Sequence, residues 1–123
     1  MLAALTFAGE ASHAIGPFIV WFDFDGATLD ERDKALLDQA AEAYRQLGST
    51  GLALHGHSDT AGPASHNETL SRRRAEAVRD YLHGRGIPLA AMRVDARGER
   101  FPLVETGDDV AEAENRRVEL LFL

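Results

Sequence analysis

Asp59 and Arg74 are the two side chains in this sequence best placed to do chemistry together. Asp59 lies in the glycine-bounded run Gly56-His57-Ser58-Asp59-Thr60-Ala61-Gly62. Arg74 follows fifteen residues later, inside a segment with helical periodicity. Leu70, Arg74 and Val78 are spaced four apart and share one helix face. That places a guanidinium on or beside an apolar stripe, where it needs a partner or a ligand. Asp59 is one candidate partner; alternatively, acid and base flank a ligand carrying both an ammonium and a carboxylate. Either alone has a plain explanation, since a loop Asp caps its own turn and a helical Arg snorkels. Together they point to recognition of an amino acid or peptide rather than to bond breaking. Arg72 and Arg73 read as a solvated helix face.

The elements that must position these groups follow from periodicity. Phe18–Phe24 is β-branched and aromatic and reads as a strand. Thr28 and Glu31 have capping-box spacing. A first helix is expected from about Leu29 to Leu47, its stripe formed by Leu36, Leu37, Ala40, Tyr44 and Leu47, with Gly48 closing it. Gly51–His57 alternates as a second strand. Ser65 and Glu68 offer a second capping box, opening a helix that carries Leu70, Val78 and Leu82 and ends near Gly84 or Gly86. Met92, Val94 and Ala96 suggest a third strand. Residues 97–115 form a long polar connection, a length that implies function or a short helix within it. Arg117–Leu123 ends the chain as an apolar strand that should be paired inside a sheet. The order strand, helix, strand, helix, strand, strand favours one sheet with both helices on one side.

Composition narrows the function classes. The chain has 123 residues, 45% hydrophobic and 27% charged, which suits one globular domain. It has no cysteine, excluding disulfides, thiolate zinc sites and a cysteine nucleophile. A net charge of −7 disfavours general nucleic-acid binding. No apolar run approaches the roughly 20 residues that span a bilayer. Residues 1–17 read as an N-terminal arm, or as a signal remnant in which Ser12-His13-Ala14 has the small-x-small form of a cleavage site; residues 18–123 form the domain.

Several motifs occur in order and at consistent spacing: Phe24-Asp25 after the first strand, G-H-S-D-x-x-G from Gly56, Asn67, L-S-x-x-R-A from Leu70, Gly98 with Pro102, and N-R-R-V-E from Asn115. Together they resemble the OmpA C-terminal-like family, found in OmpA, peptidoglycan-associated lipoproteins and flagellar stator proteins. The resemblance covers roughly Phe18 to Leu123. It implies an α+β, two-layer βαβαββ sandwich with a mixed four-stranded sheet. It also implies non-covalent binding of peptidoglycan through the diaminopimelate of its stem peptide, in the periplasm of the Gram-negative envelope, against the cell wall or outer membrane. On that resemblance Asp59 would meet the ligand's ammonium and Arg74 its carboxylate. Leu70 would line the pocket, Asn67 would brace the loop, and backbone groups near Phe24 and Asp25 would add hydrogen bonds. Arg116 and Arg117 would anchor the last strand, with Glu112 or Asp108 as partners. No enzyme activity, cofactor or metal is implied; other envelope proteins are further candidate partners. Family members usually carry a barrel, lipid or helical membrane attachment. None is visible here, so the chain reads as an unanchored wall binder, a fragment, or a sequence with a misplaced start.

Two rival readings come from the residues. Phe22-Asp23-Phe24-Asp25-Gly26 resembles the first motif of haloacid-dehalogenase phosphatases, with Asp23 as nucleophile and Asp25 as acid/base about magnesium. Ala27 interrupts that motif, and the single lysine, Lys34, falls on the first helix. His55 and His57 share a strand face and His66 is near in sequence, but no further metal ligand stands at a recognised spacing.

Overall fold

The computed structural model describes residues 18–123; the expectations for residues 1–17 lie outside this range. The elements are β1 (Phe18–Trp21), α1 (Glu31–Leu47), β2 (Leu52–Gly56), α2 (Ala64–Gly84), β3 (Met92–Ala96) and β4 (Arg117–Phe122). Short 3-10 turns at Leu89–Ala91 and Ala113–Asn115 complete them. The four strands form one sheet in the order β1-β4-β2-β3. β4 runs antiparallel to both β1 and β2, while β2 and β3 are parallel, so the sheet is mixed. The apolar C-terminal strand is thus paired on both sides, as its composition requires.

Alternation along the strands decides which face is buried. Val20, Leu52, Leu54, Val118 and Leu120 pack in one cluster with Leu37, Ala40 and Ala41 of α1 and Ala75, Val78 and Leu82 of α2. Both helices therefore cover the same face, giving the expected two-layer sandwich. Gly48 ends α1 in the left-handed region at φ 64°, where its amide reaches the carbonyls of Tyr44 and Arg45.

Helix starts differ from expectation. The N-cap of α1 is Asp30, not Thr28, and Asp33 replaces Glu31 in a reciprocal capping box. The Asp30 carboxylate accepts from the Asp33 amide at 2.8 Å, and that of Asp33 from the Asp30 amide at 2.9 Å. The same three-residue spacing recurs two positions on, and Asp caps as well as Thr. α2 begins after Pro63 with no side-chain cap, so Ser65 and Glu68 do not form a box; Glu68 instead pairs with Arg100 at 2.9 Å. Leu47 projects to solvent, and Ala43 takes its place in the buried stripe.

β1 stops at Trp21 rather than Phe24. Residues Asp23–Gly26 close a turn in which the Gly26 amide donates to the Asp23 carbonyl at 3.0 Å, with Asp25 at φ 54°. The long connection after β3 is organised by Asn115: its Oδ1 accepts from the amides of Leu103 and Val104, and its Nδ2 donates to the Val104 carbonyl. It carries the short Ala113–Asn115 helix that its length suggested.

Candidate functional site

Gly56 brings the site together. It ends β2 where α2 crosses, and a Cβ there would run into the Ser71 carbonyl. Only glycine permits this approach, which sets Arg74 against the end of the strand. The neighbouring loop is locked in turn. Ser58 donates its amide to the Gly98 carbonyl, and the Gly98 amide donates to Ser71 Oγ, each at 2.9 Å.

Arg74 is 0% exposed. Its Nε donates to the Gly26 carbonyl at 2.7 Å, its Nη1 to the His57 carbonyl at 3.0 Å and its Nη2 to the Asp23 carbonyl at 3.1 Å. The guanidinium also lies 5.5 Å from the Phe22 ring centroid, a cation–π contact. Burial pushes its pKa down to about 10, and the Asp59 charge opposes that shift; the group stays cationic at neutral pH. A guanidinium has five N–H donors. Three meet carbonyls, and no carboxylate among the described residues hydrogen-bonds the other two.

Asp59 is 4% exposed, and its ion-pair partner is Arg116. Asp59 Oδ2 accepts from Arg116 Nη1 at 3.2 Å and from the Glu112 amide at 3.1 Å, while Oδ1 accepts from the Ala61 amide at 3.2 Å. Arg116 Nε donates to the Phe22 carbonyl at 3.0 Å. This corrects two expectations. The direct Asp59–Arg74 pair is not formed, and Arg116 pairs with neither Glu112 nor Asp108; Glu112 contributes only its amide. Asp59 and Arg116 thus pair at the end of the sheet, while Arg74 feels the Asp59 and Asp25 charges without a direct ion pair among the described residues. One lone pair of Asp59 Oδ1 also remains open to a donor.

The remaining candidates surround this cluster. Leu70 is buried one turn before Arg74. Asn67 is buried and braces the loop, its Nδ2 donating to the Gly62 carbonyl at 3.4 Å and to Glu99 Oε1 at 3.0 Å. Phe24 is 61% exposed at the tip of the turn that covers Arg74. Asp25 Oδ1 meets His66 Nε2 at 2.8 Å, tying that turn to the first turn of α2.

Nothing in the sequence assigns Thr60 or Asp109 a part in positioning the Asp59 loop. Thr60 Oγ1 donates to the Gly107 carbonyl at 2.8 Å and accepts from the Val110 amide at 2.9 Å. Asp109, at φ 60°, accepts from the Gly62 amide at 2.9 Å. These bonds fasten the acidic segment of the long connection onto the Asp59 loop. Neither residue carries a local signal beyond the turn-forming tendency of Asp.

His57 links this end of the sheet to its other face. Its carbonyl accepts from Arg74 and its amide donates to the Arg117 carbonyl at 2.8 Å. Its ring is buried with neither nitrogen hydrogen-bonded, 3.7 Å from Glu119. Burial, reinforced by the Arg117 charge, pushes its pKa down to about 4. The phosphatase reading finds no matching scaffold: β1 is an antiparallel edge strand, Asp25 is engaged by His66, and Lys34 lies on α1 beside Glu31.

The OmpA family profile matches residues 21–116. An outer membrane protein of Gluconacetobacter diazotrophicus is 34% identical over 85% of this chain and 29% of its own length. A peptidoglycan-associated lipoprotein of Rhizobium meliloti is 34% identical over 80% of this chain and 56% of its own length. The chain therefore spans well under two thirds of these relatives. The crystal structure of the peptidoglycan-associated lipoprotein from Burkholderia pseudomallei superposes with a TM-score of 0.77 at 31% identity, over 85% of this chain and 89% of that one.

Proposed function

The chain belongs to the OmpA family, and from that premise we propose that it binds peptidoglycan non-covalently, reading the diaminopimelate of the stem peptide in the periplasm. The carrying observation is Arg74: a buried cation held in place by three carbonyls, with two donors and no directly bonded carboxylate among the described residues. Those two remaining N–H groups suit a ligand carboxylate, which takes a pair of parallel bonds from a guanidinium. Its ammonium pairs with the open lobe of Asp59, which Arg116 and two amides hold still. Leu70 and the Phe24 ring give apolar walls, and main-chain groups of the Phe24–Asp25 turn add polar contacts. That turn covers Arg74, so the ligand enters by displacing or supplementing its carbonyls. Asn67 acts through the loop it braces. No step here breaks a bond, and the role is retention at the wall. Weak single contacts suffice, because repeated sites on a polymer raise the effective concentration.

The test is displacement. Sacculi containing diaminopimelate are sedimented with the protein, and stem tetrapeptides carrying either diaminopimelate or lysine at the third position are added. The diaminopimelate peptide releases the protein. In the lysine peptide the α-carboxylate is consumed in the amide and the side chain ends in an ammonium alone, so Arg74 is left unmatched and release is at least tenfold less effective, about 1.4 kcal/mol. Equal release by the two peptides would sink the diaminopimelate reading.

A further inference from the structure

The sheet has two edges, and they are built differently. On β3, the strand carries Arg93 and Asp95 on the face away from the helices. Charge at an edge discourages pairing with a foreign strand. On β1, the equivalent positions are Ile19 and Trp21, and Trp21 is 45% exposed. β1 contains no charged residue.

Among the described residues the outer main chain of β1 is open as well. Phe22 donates its amide to the Arg116 carbonyl, which marks Phe22 and Arg116 as a hydrogen-bonded antiparallel pair. Such pairs alternate along a ladder. The amides and carbonyls of Ile19 and Trp21 therefore point away from β4. The bond from His57 to the Arg117 carbonyl agrees, since it turns the main chain of Arg117, the residue opposite Trp21, toward β2.

Beside this edge lies a groove of about 760 Å³. Ile19, Trp21 and Leu36 give it apolar walls, and Asp23, Asp30, Asp33 and Glu114 give it carboxylates. Of the two arginines that line it, Arg116 is committed to Asp59 and the Phe22 carbonyl, leaving Arg32 alone against four acids. The lining is acidic overall, like the chain as a whole at −7.

We infer that the free edge of β1 and this groove take an extended segment of a partner protein, one that alternates apolar and basic side chains and adds as a fifth strand. The exposed amides and carbonyls supply main-chain bonds. The apolar walls receive alternate side chains, and the carboxylates select lysine or arginine over acidic residues. The groove adjoins the Asp59–Arg74 site, sharing Phe22, Asp23 and Arg116 with its surroundings. The outward main chain of β1 and the carboxylates of Asp30, Asp33 and Glu114 bond neither Asp59 nor Arg74, so the inference does not rest on that site taking diaminopimelate.

Trp21 is the only tryptophan and reports directly on the groove. The probe is a blocked octapeptide alternating valine and lysine, titrated into the full chain, with its valine–glutamate counterpart as control. The lysine peptide shifts Trp21 emission to the blue in a saturable manner that weakens with salt, and the glutamate peptide does not. Ile19→Pro removes only an outward amide, leaves the β1–β4 ladder intact, and abolishes the shift. Glu114→Lys, on the exposed 3-10 turn, weakens lysine-peptide binding severalfold and keeps the assay decisive if the proline variant fails to fold. The inference is overturned if neither peptide gives a saturable shift or if the two act alike. It is also overturned if the emission and mass of the chain alone depend on its concentration and Ile19→Pro removes that dependence, which would assign the edge to a second copy.

Discussion

Arg74 and Arg117 are both buried arginines, one on α2 and one at the start of β4, and the main chain of His57 touches both regions. Each also grips main-chain carbonyls. Arg117 reaches those of Asn115 and Phe101, then closes a 2.7 Å ion pair with Glu119. Arg74 reaches three carbonyls and closes no ion pair among the described residues. Arg117 thus completes its electrostatics inside the fold, as a structural cation does. Arg74 is equally fixed, but it bonds only dipoles, and the charges of Asp59 and Asp25 reach it through space. A fixed cation without a counter-ion is what a carboxylate receptor requires, because the cost of ordering the side chain is met before the ligand arrives.

The largest effect that bears on this contrast is on stability. Arg74→Met strands the carbonyls of Asp23, Gly26 and His57, and we expect a loss of about 3–4 kcal/mol in urea unfolding. Arg117→Met strands two longer-bonded carbonyls and a partly exposed carboxylate that water can reach, and should lose less, about 1–3 kcal/mol. Equal losses would erase the distinction between the two sites. Because Arg74 also holds the fold together, its truncation would mix lost stability with lost binding. The proposed ligand role is better probed by Arg74→Lys, which keeps a charge and loses the fork, alongside Arg117→Lys as a control.

A second, smaller effect separates the two regions by pH. The folded pKa of His57, about 4, lies below its ordinary value of 6.5. The unfolded chain therefore takes up this proton first as pH falls. The contribution of His57 is fully present above about 6.5, declines between 6.5 and 4, and is constant below that. Its full size is up to about 3 kcal/mol. His55, also lowered by burial, acts in the same direction. His57→Leu should flatten the slope of unfolding free energy across that window. An unchanged slope would show that burial of His57 does not control acid stability.

How much of this was legible beforehand depended on range. The alternation in Gly51–His57 and the four-residue spacing of Leu70, Arg74 and Val78 are local, and they located β2, α2 and the buried guanidinium correctly. The glycine of G-H-S-D has a reason only a helix crossing can give, the Ser71 carbonyl beneath it. The true partner of Asp59 lies 57 residues away, and nothing near either residue announces it. Arg74 was legible as a charge needing a partner, but its partners are main-chain carbonyls, identical at every residue and therefore invisible in a sequence. Cap positions failed for another reason: Thr28, Asp30 and Ser65 are chemically similar, and tertiary placement chose among them.

The finest test of the contrast uses Asp25. Its charge supports the cationic form of Arg74 from an exposed turn, where it pairs with His66. Asp25→Asn keeps a residue type that tolerates the left-handed backbone at φ 54°. An exposed pair of this kind is worth little, so stability should change by less than about 0.5 kcal/mol. Ligand affinity should change in the opposite sense from an ordinary site mutation. Removing a carboxylate near a cation that bonds none makes room for the carboxylate of the ligand. Diaminopimelate should therefore bind up to about twofold tighter at low salt, with the gain fading as screening rises. A charge already satisfied within the chain would give no change at any salt concentration, and Arg74 would then be a second Arg117.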